Sequence, residues 1–88
     1  MMRNRNAAVP GAKMIRMTVE VGGYRWLVHG AFREKRFETH LVELRETIRL
    51  DVPVNQELRR KMREAIAKFL SRDVDVVKEI RADLFLIV

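Results

Sequence analysis

The residues of this chain that could do chemistry are its cations and its two histidines. Arg59, Arg60, Lys61 and Arg63 fall within five positions. On a helix Arg59 and Arg63 stand one turn apart and can straddle phosphates, with Arg60 and Lys61 on the flanks. Like charges at i,i+4 repel in an isolated helix, so a polyanionic partner would relieve them. The local relief is limited to Arg60 with Glu64 and Glu57 with Lys61. A second basic centre is the start of the chain, where residues 1–16 carry Arg3, Arg5, Lys13 and Arg16 and no acid. His29 and His40 offer acid–base chemistry of the kind a small basic ribonuclease uses. As metal ligands they lack a third partner at motif spacing.

Several other chemistries are excluded. The chain has no Cys, hence no thiolate nucleophile, thiolate ligand or disulfide. Ser71, its only serine, falls at an expected helix break and cap, which argues against a serine nucleophile. No phosphate-binding glycine loop or dinucleotide fingerprint is present. No cofactor, metal or small-molecule substrate is therefore expected. The remaining signal is charge, a net +6, which on a small domain invites DNA or RNA.

The elements that position these residues follow from periodicity. The 88 residues suffice for one domain, and 48% hydrophobic with 34% charged residues is a globular composition. Residues 1–13 have no periodicity and read as a flexible basic arm, leaving 14–88 as the folded part. From Met14 to Val21 apolar and polar residues alternate, which is a strand. Gly22-Gly23 supplies the two positive-φ positions of a two-residue primed turn. That turn sets Val21 opposite Tyr24, Val19 opposite Trp26 and Met17 opposite Val28, all on one face. Tyr24 and Trp26 therefore point into the core and are scaffold, not a base-stacking platform. Glu20 falls opposite Arg25, and the outward face carries Arg16, Arg25, Leu27, His29 and Arg33, joined by Arg45 and Arg49.

Glu34-Lys35 is a weaker turn, after which Phe32 faces Phe37 and Val28 faces Leu41. The apolar parity then switches to Val42, Leu44, Ile48 and Leu50, which a β-bulge at Leu41-Val42 reconciles. A helix through Phe37, Leu41, Leu44 and Ile48 is the rival; Val42, Leu50 and the β-branched Thr47-Ile48 favour the strand. After Asp51-Val-Pro53, Asn55 caps a helix with the stripe Leu58, Met62, Ala65, Ile66, Phe69 and Leu70. Ser71-Arg-Asp73 breaks it, and a short helix through Val74, Val77 and Ile80 follows.

Leu84, Phe85, Leu86, Ile87 and Val88 form the longest apolar run, against the ~20 residues a membrane span requires. No apolar stretch follows the N-terminal arginines, so neither a span nor a secretory leader is expected. A soluble cytoplasmic protein is the expectation. The terminal run reads as a last strand or as a docking segment shared in a homodimer.

The expectation is an α+β domain: a small three- to four-stranded antiparallel sheet in the order β-β-β-α-(α)-β, with one amphipathic helix on one face. The expected function is a small non-enzymatic nucleic-acid-binding module working through phosphate contacts. Its candidate residues are Arg59, Arg60 and Arg63, with Arg3, Arg5, Arg25 and Arg33. The alternatives are a structural or protein–protein interaction domain whose charge serves solubility, and a small ribonuclease.

Overall fold

The computed structural model describes residues 13–45 and 52–87. Gly22 and Gly23 take φ of 64° and 83°, the left-handed pair of a turn whose twist matches that of the strands it joins. They connect β1 (Ile15–Val21) to β2 (Tyr24–Arg33). The pairing runs Val21 to Tyr24, Val19 to Trp26, Met17 to Val28 and Glu20 to Arg25, the expected register. Met17, Val19, Val21, Trp26 and Val28 are all buried on one face. Trp26 is fully enclosed, and its Nε1–H donates to the Val21 carbonyl at 3.0 Å. Burying an indole leaves its N–H in need of a partner, and the adjacent turn supplies one.

The next turn, Glu34-Lys35, has φ of 54° and 67°, positive at both central positions but without glycine. It leads into β3 (Arg36–Leu44), with Phe32 opposite Phe37 and Arg33 opposite Arg36. Gly30 then faces Thr39 while His29 faces Leu41, so His40 is the extra residue of the bulge. The bulge therefore precedes the expected Leu41-Val42, and Val28 faces Val42 instead of Leu41. Gly30 gives the physical reason. A Cβ there would overlap the Glu38 carbonyl oxygen and the edge of the Phe37 ring. The close approach that a glycine permits fixes where the strands deform. Residues 46–50, and with them the expected contributions of Ile48, Arg49 and Leu50, lie outside the described residues, as do Arg3, Arg5 and Val88.

Asn55 caps α1 (Gln56–Leu70) by accepting the Leu58 N–H on its side-chain oxygen at 2.8 Å. Leu58, Met62, Ile66 and Ala67 are buried against the sheet. The helix ends with Ser71 in the left-handed region at φ 57°. The Ser71 N–H donates to the Lys68 carbonyl and the Arg72 N–H to the Ala67 carbonyl, the two bonds of a Schellman cap.

The expected second helix through Val74, Val77 and Ile80 is a single 3₁₀ turn over Val74–Val76. Three β-branched valines in four positions disfavour helix. The sheet edge then takes the backbone: Val77 bridges Phe37, and the Lys78 N–H donates to the Phe37 carbonyl at 2.9 Å. A further 3₁₀ turn, Ala82–Leu84, leads into β4 (Phe85–Leu86), which pairs parallel with β3 through Val42 and Glu43. The sheet is thus mixed, in the order β1-β2-β3-β4. The parallel pairing follows from α1, which carries the chain back across the sheet before β4 begins. Phe85 meets Trp26 edge-on with centroids 5.6 Å apart, so the C-terminal segment completes its own subunit's core.

Two glycine exchanges should shift stability in opposite directions. Gly30→Ala is expected to destabilise by about 1–3 kcal/mol through overpacking. Ser71→Gly is expected to stabilise by about 1 kcal/mol by relieving a left-handed non-glycine residue. Urea unfolding followed by circular dichroism reads both.

Candidate nucleic-acid interface

The register sorts the cations before any partner is considered. Odd-numbered β1 residues, even-numbered β2 residues, and Phe37, Thr39, Val42 and Leu44 of β3 face α1. The opposite, open face carries Arg16 of β1, Arg25 and Arg33 of β2, and Arg36 of β3, with Arg45 just beyond, all exposed. Leu27, His29 and Leu41 lie half-buried between them. Glu20, Glu38 and Glu43 dilute the charge.

The helix cluster is already engaged. Arg60 donates to Glu57 at 2.8 Å and to Glu64 at 2.7 Å, and Lys61 lies 3.7 Å from Glu57. The Arg60 hydrogen bond and charge hold the Glu57 carboxyl below its ordinary value and raise the Arg60 guanidinium in return. Arg63 turns away from solvent. Its Nε–H donates to the Val77 carbonyl at 3.0 Å, and one terminal nitrogen donates to Val77 at 2.7 Å and Val74 at 3.1 Å. Arg59 reaches the Val54 carbonyl at 3.5 Å. The three arginines share a cleft of about 160 Å³ with Gln56 and Glu79, so the expected cluster is brought together but largely committed to the fold.

Other cations are held as well. Arg72 lies over the Phe32 ring at 5.4 Å, a cation–π contact. Lys78 donates to Glu38 at 2.9 Å, and Arg81 lies 3.2 Å from Asp83. The Lys78 hydrogen bond, aided by the charges of Lys78, Arg33 and His40, keeps the Glu38 carboxyl below its ordinary range.

In contrast, among the described residues no hydrogen bond or ion pair engages the side chains of Arg16, Arg33, Lys35, Arg36 or Arg45. Off the sheet the same holds of Lys13 and Lys68. The unengaged cations thus gather on the open face and at the β2–β3 turn. Sequence reading included Arg33 but passed over Lys35 and Arg36. Their signal was present as Arg33-Glu-Lys-Arg36, a cation pair flanking a turn. The role of Arg63 had no local signal, because its partners lie 11 and 14 residues away.

The two histidines occupy different surroundings. His40 lines a cleft of about 370 Å³ with Glu38, Thr39, Lys78 and Arg81, its Nε2 3.9 Å from the Glu38 carboxylate. His29 projects on the open face between Arg16 and Leu41 and does not line that cleft. Among the described residues no three of His, Cys, Asp and Glu gather where they could hold a metal. Of the C-terminal residues, Leu84, Phe85 and Ile87 pack on the core and Leu86 is exposed.

No protein-family model, curated protein or solved structure matches the chain. Among the described residues no helix is long and apolar enough to cross a membrane.

The engagement of Arg63 should register in stability. Arg63→Met removes both guanidinium hydrogen bonds of the Val77 carbonyl and one from the Val74 carbonyl, which keeps the Val77 N–H, and is expected to cost about 1–3 kcal/mol. Arg60→Gln removes only exposed pairs and should leave the unfolding midpoint near that of the parent chain. Thermal melts of the two variants side by side make the comparison.

Proposed function

We propose that the protein is a non-enzymatic nucleic-acid-binding module that sets the open face of its sheet against phosphates. Arg33, Lys35, Arg36 and Arg45 are its main contacts. The observation that carries this reading is the segregation of cations: Arg59, Arg60, Lys61 and Arg63 on the helix are offset by Glu57 and Glu64 or bound to carbonyls, while Arg33, Lys35, Arg36 and Arg45 make no hydrogen bond or ion pair among the described residues, the Arg33 charge alone reaching Glu38. A cation without an internal partner meets a phosphate with no ion pair to break, and it releases condensed counterions when it does so.

The β2–β3 turn supports the same reading. Glu34 and Lys35 both hold positive φ, a conformation glycine or asparagine adopts at less cost. Keeping a lysine there places three cations within four residues at the tip of the hairpin. Arg25, Arg59 and Arg60, and Arg3 and Arg5 of the N-terminal segment, are the flanking contacts. Tyr24 and Trp26 face the core, so among the described residues the open face of the sheet offers bases no Phe, Tyr or Trp ring to stack on. Contacts are then to the backbone, and sequence preference is weak.

Fluorescence anisotropy with duplex DNA, duplex RNA and single strands of equal length tests this between about 50 and 200 mM salt. Four phosphate contacts on duplex DNA give a slope of log affinity against log salt near about −3.6. Arg33→Gln/Arg36→Gln should reduce that slope by about 2 and weaken every sequence alike. Arg81→Gln, whose guanidinium pairs with Asp83, should change neither. Absent binding, or binding indifferent to salt, overturns the function. Loss with Arg59→Gln/Arg60→Gln but not with the sheet variant overturns the assignment of the face.

A further inference from the structure

β1 is the outer strand of the sheet, and among the described residues no strand pairs with its far side. Such an edge is a template for another chain unless proline, a bulge or a covering element blunts it. β1 has neither proline nor bulge, and α1 packs on its buried face. The backbone groups that remain unpaired follow from the hairpin. A two-residue turn makes Val21 and Tyr24 a hydrogen-bonded pair, so the odd-numbered residues of β1 turn their N–H and C=O groups to β2. The Arg45 N–H donating to the Arg25 carbonyl at 2.8 Å confirms the parity, since Arg25 then turns its backbone toward β3. Arg16, Thr18 and Glu20 therefore direct their backbone donors and acceptors outward.

We propose that this edge pairs antiparallel with β1 of a second copy of the chain, about a two-fold axis at Thr18. Thr18 then faces the partner's Thr18 and Arg16 faces the partner's Glu20, with the symmetric pair repeated. All six residues are those with outward backbone groups, so three consecutive hydrogen-bonded pairs form. On the open face each Arg16 gains a carboxylate opposite, and neither Arg16 nor Glu20 has an ion pair among the described residues. On the buried face Met17 meets the partner's Val19 and Ile15 meets the partner's Val21, so the apolar rows run on unbroken. The sequence Ile15–Val21 is self-complementary about Thr18, apolar meeting apolar and Arg16 meeting Glu20, as an isologous contact requires.

A second feature fits the same axis. Met14 and Phe69 are 52% and 54% exposed, more than any other large apolar side chain described. α1 starts beside Gly22, with which Asn55 and Leu58 share a cleft, and ends where Arg72 covers Phe32, so it runs antiparallel to β1. Phe69 therefore stands at the Met14 end of β1. On the helix it lies about 120° round from Arg63, on the flank away from the 74–77 segment. At the other end of β1 the cleft beside Gly22 has about 180 Å³ and is lined by Tyr24, Val52, Pro53 and Leu58. The Thr18-centred register sets Met14 opposite the partner's Gly22. On the α1 face each copy thus offers the Phe69 ring at one end of the strand and an apolar recess at the other, and the two-fold joins them twice. The even-numbered Met14 instead follows Arg16 and Thr18 onto the open face.

Sedimentation velocity on the full chain, from about 1 to 200 μM and without nucleic acid, tests the pairing independently of the binding function. The expected species has twice the 10.4 kDa chain mass. Arg16→Glu and Glu20→Arg should each weaken it by about tenfold, by turning two attractive cross-strand pairs repulsive. The double exchange Arg16→Glu/Glu20→Arg should restore it. A monomer at all concentrations overturns the proposal, as does a dimer indifferent to the single reversals or not restored by the double. Thr18→Cys gives a readout that leaves both charges in place. In a hydrogen-bonded antiparallel pair the Cα atoms are about 5.5 Å apart, within disulfide reach. Mild oxidation should link Thr18→Cys chains in pairs and leave Glu20→Cys chains unlinked; the reverse order overturns the register.

Discussion

Two consecutive glycines in the left-handed region hold β1 and β2 in one register, and most of what the protein presents to solvent or core follows from that constraint. Because side chains alternate across a strand, a slip of one residue would move Trp26 out and Arg25 in. In the observed register the Trp26 N–H meets the Val21 carbonyl at the turn itself. Its ring then offers an edge to Phe85, which anchors β4 and closes the sheet on its far side. The same parity sends Arg16, Arg25 and Arg33 to the opposite face and leaves the even-numbered backbone groups of β1 without a strand partner among the described residues.

The first hairpin was legible because its turn has a strict chemical requirement and glycine is the residue that meets it. The second turn was harder, since Glu34 and Lys35 adopt positive φ that neither residue advertises. The bulge was anticipated from the parity change between Phe37 and Val42, yet its position depended on how closely Phe37 approaches Gly30, a contact between strands. Val74–Ile80 carries an apolar spacing that suits a helix. The competing claim came from the edge of β3, where Phe37 pairs with Val77 and Lys78. Tertiary hydrogen bonding won over local pattern, and it also gave β4 its parallel direction.

Charge density along the chain proved a poor guide to charge availability. Arg59, Arg60, Lys61 and Arg63 are the densest cations, but a helix brings acids at i−3 and i+4 within reach of Arg60, and both pairs form. That part was readable from spacing. Arg63 is different: its half-buried guanidinium serves carbonyls of the segment after α1, Val77 through two nitrogens and Val74 alongside the Val77 N–H. Its planar fork can donate to Val77 through two nitrogens at once, which an ammonium cannot do. Among the described residues Arg16, Arg36 and Arg45 of the sheet escape both fates, because their strand neighbours point to the other face and the acids opposite are few.

The two proposed surfaces are compatible because they use different parts of one sheet. Pairing about Thr18 consumes the outer edge of β1, whereas Arg33, Lys35 and Arg36 project from the far end of the β2–β3 hairpin. The two-fold axis would set these clusters at opposite ends of an eight-stranded sheet, with both open faces on the same side. A polyanion long enough to reach both ends would then bind a second time within one complex, at an effective concentration set by the rigid sheet. Arg16, lying between the clusters, would be occupied by the partner's Glu20 and would drop out of the phosphate contacts. Affinity would therefore depend on protein concentration through the dimer, while the number of phosphates contacted per chain would stay that of the hairpin tip and Arg45.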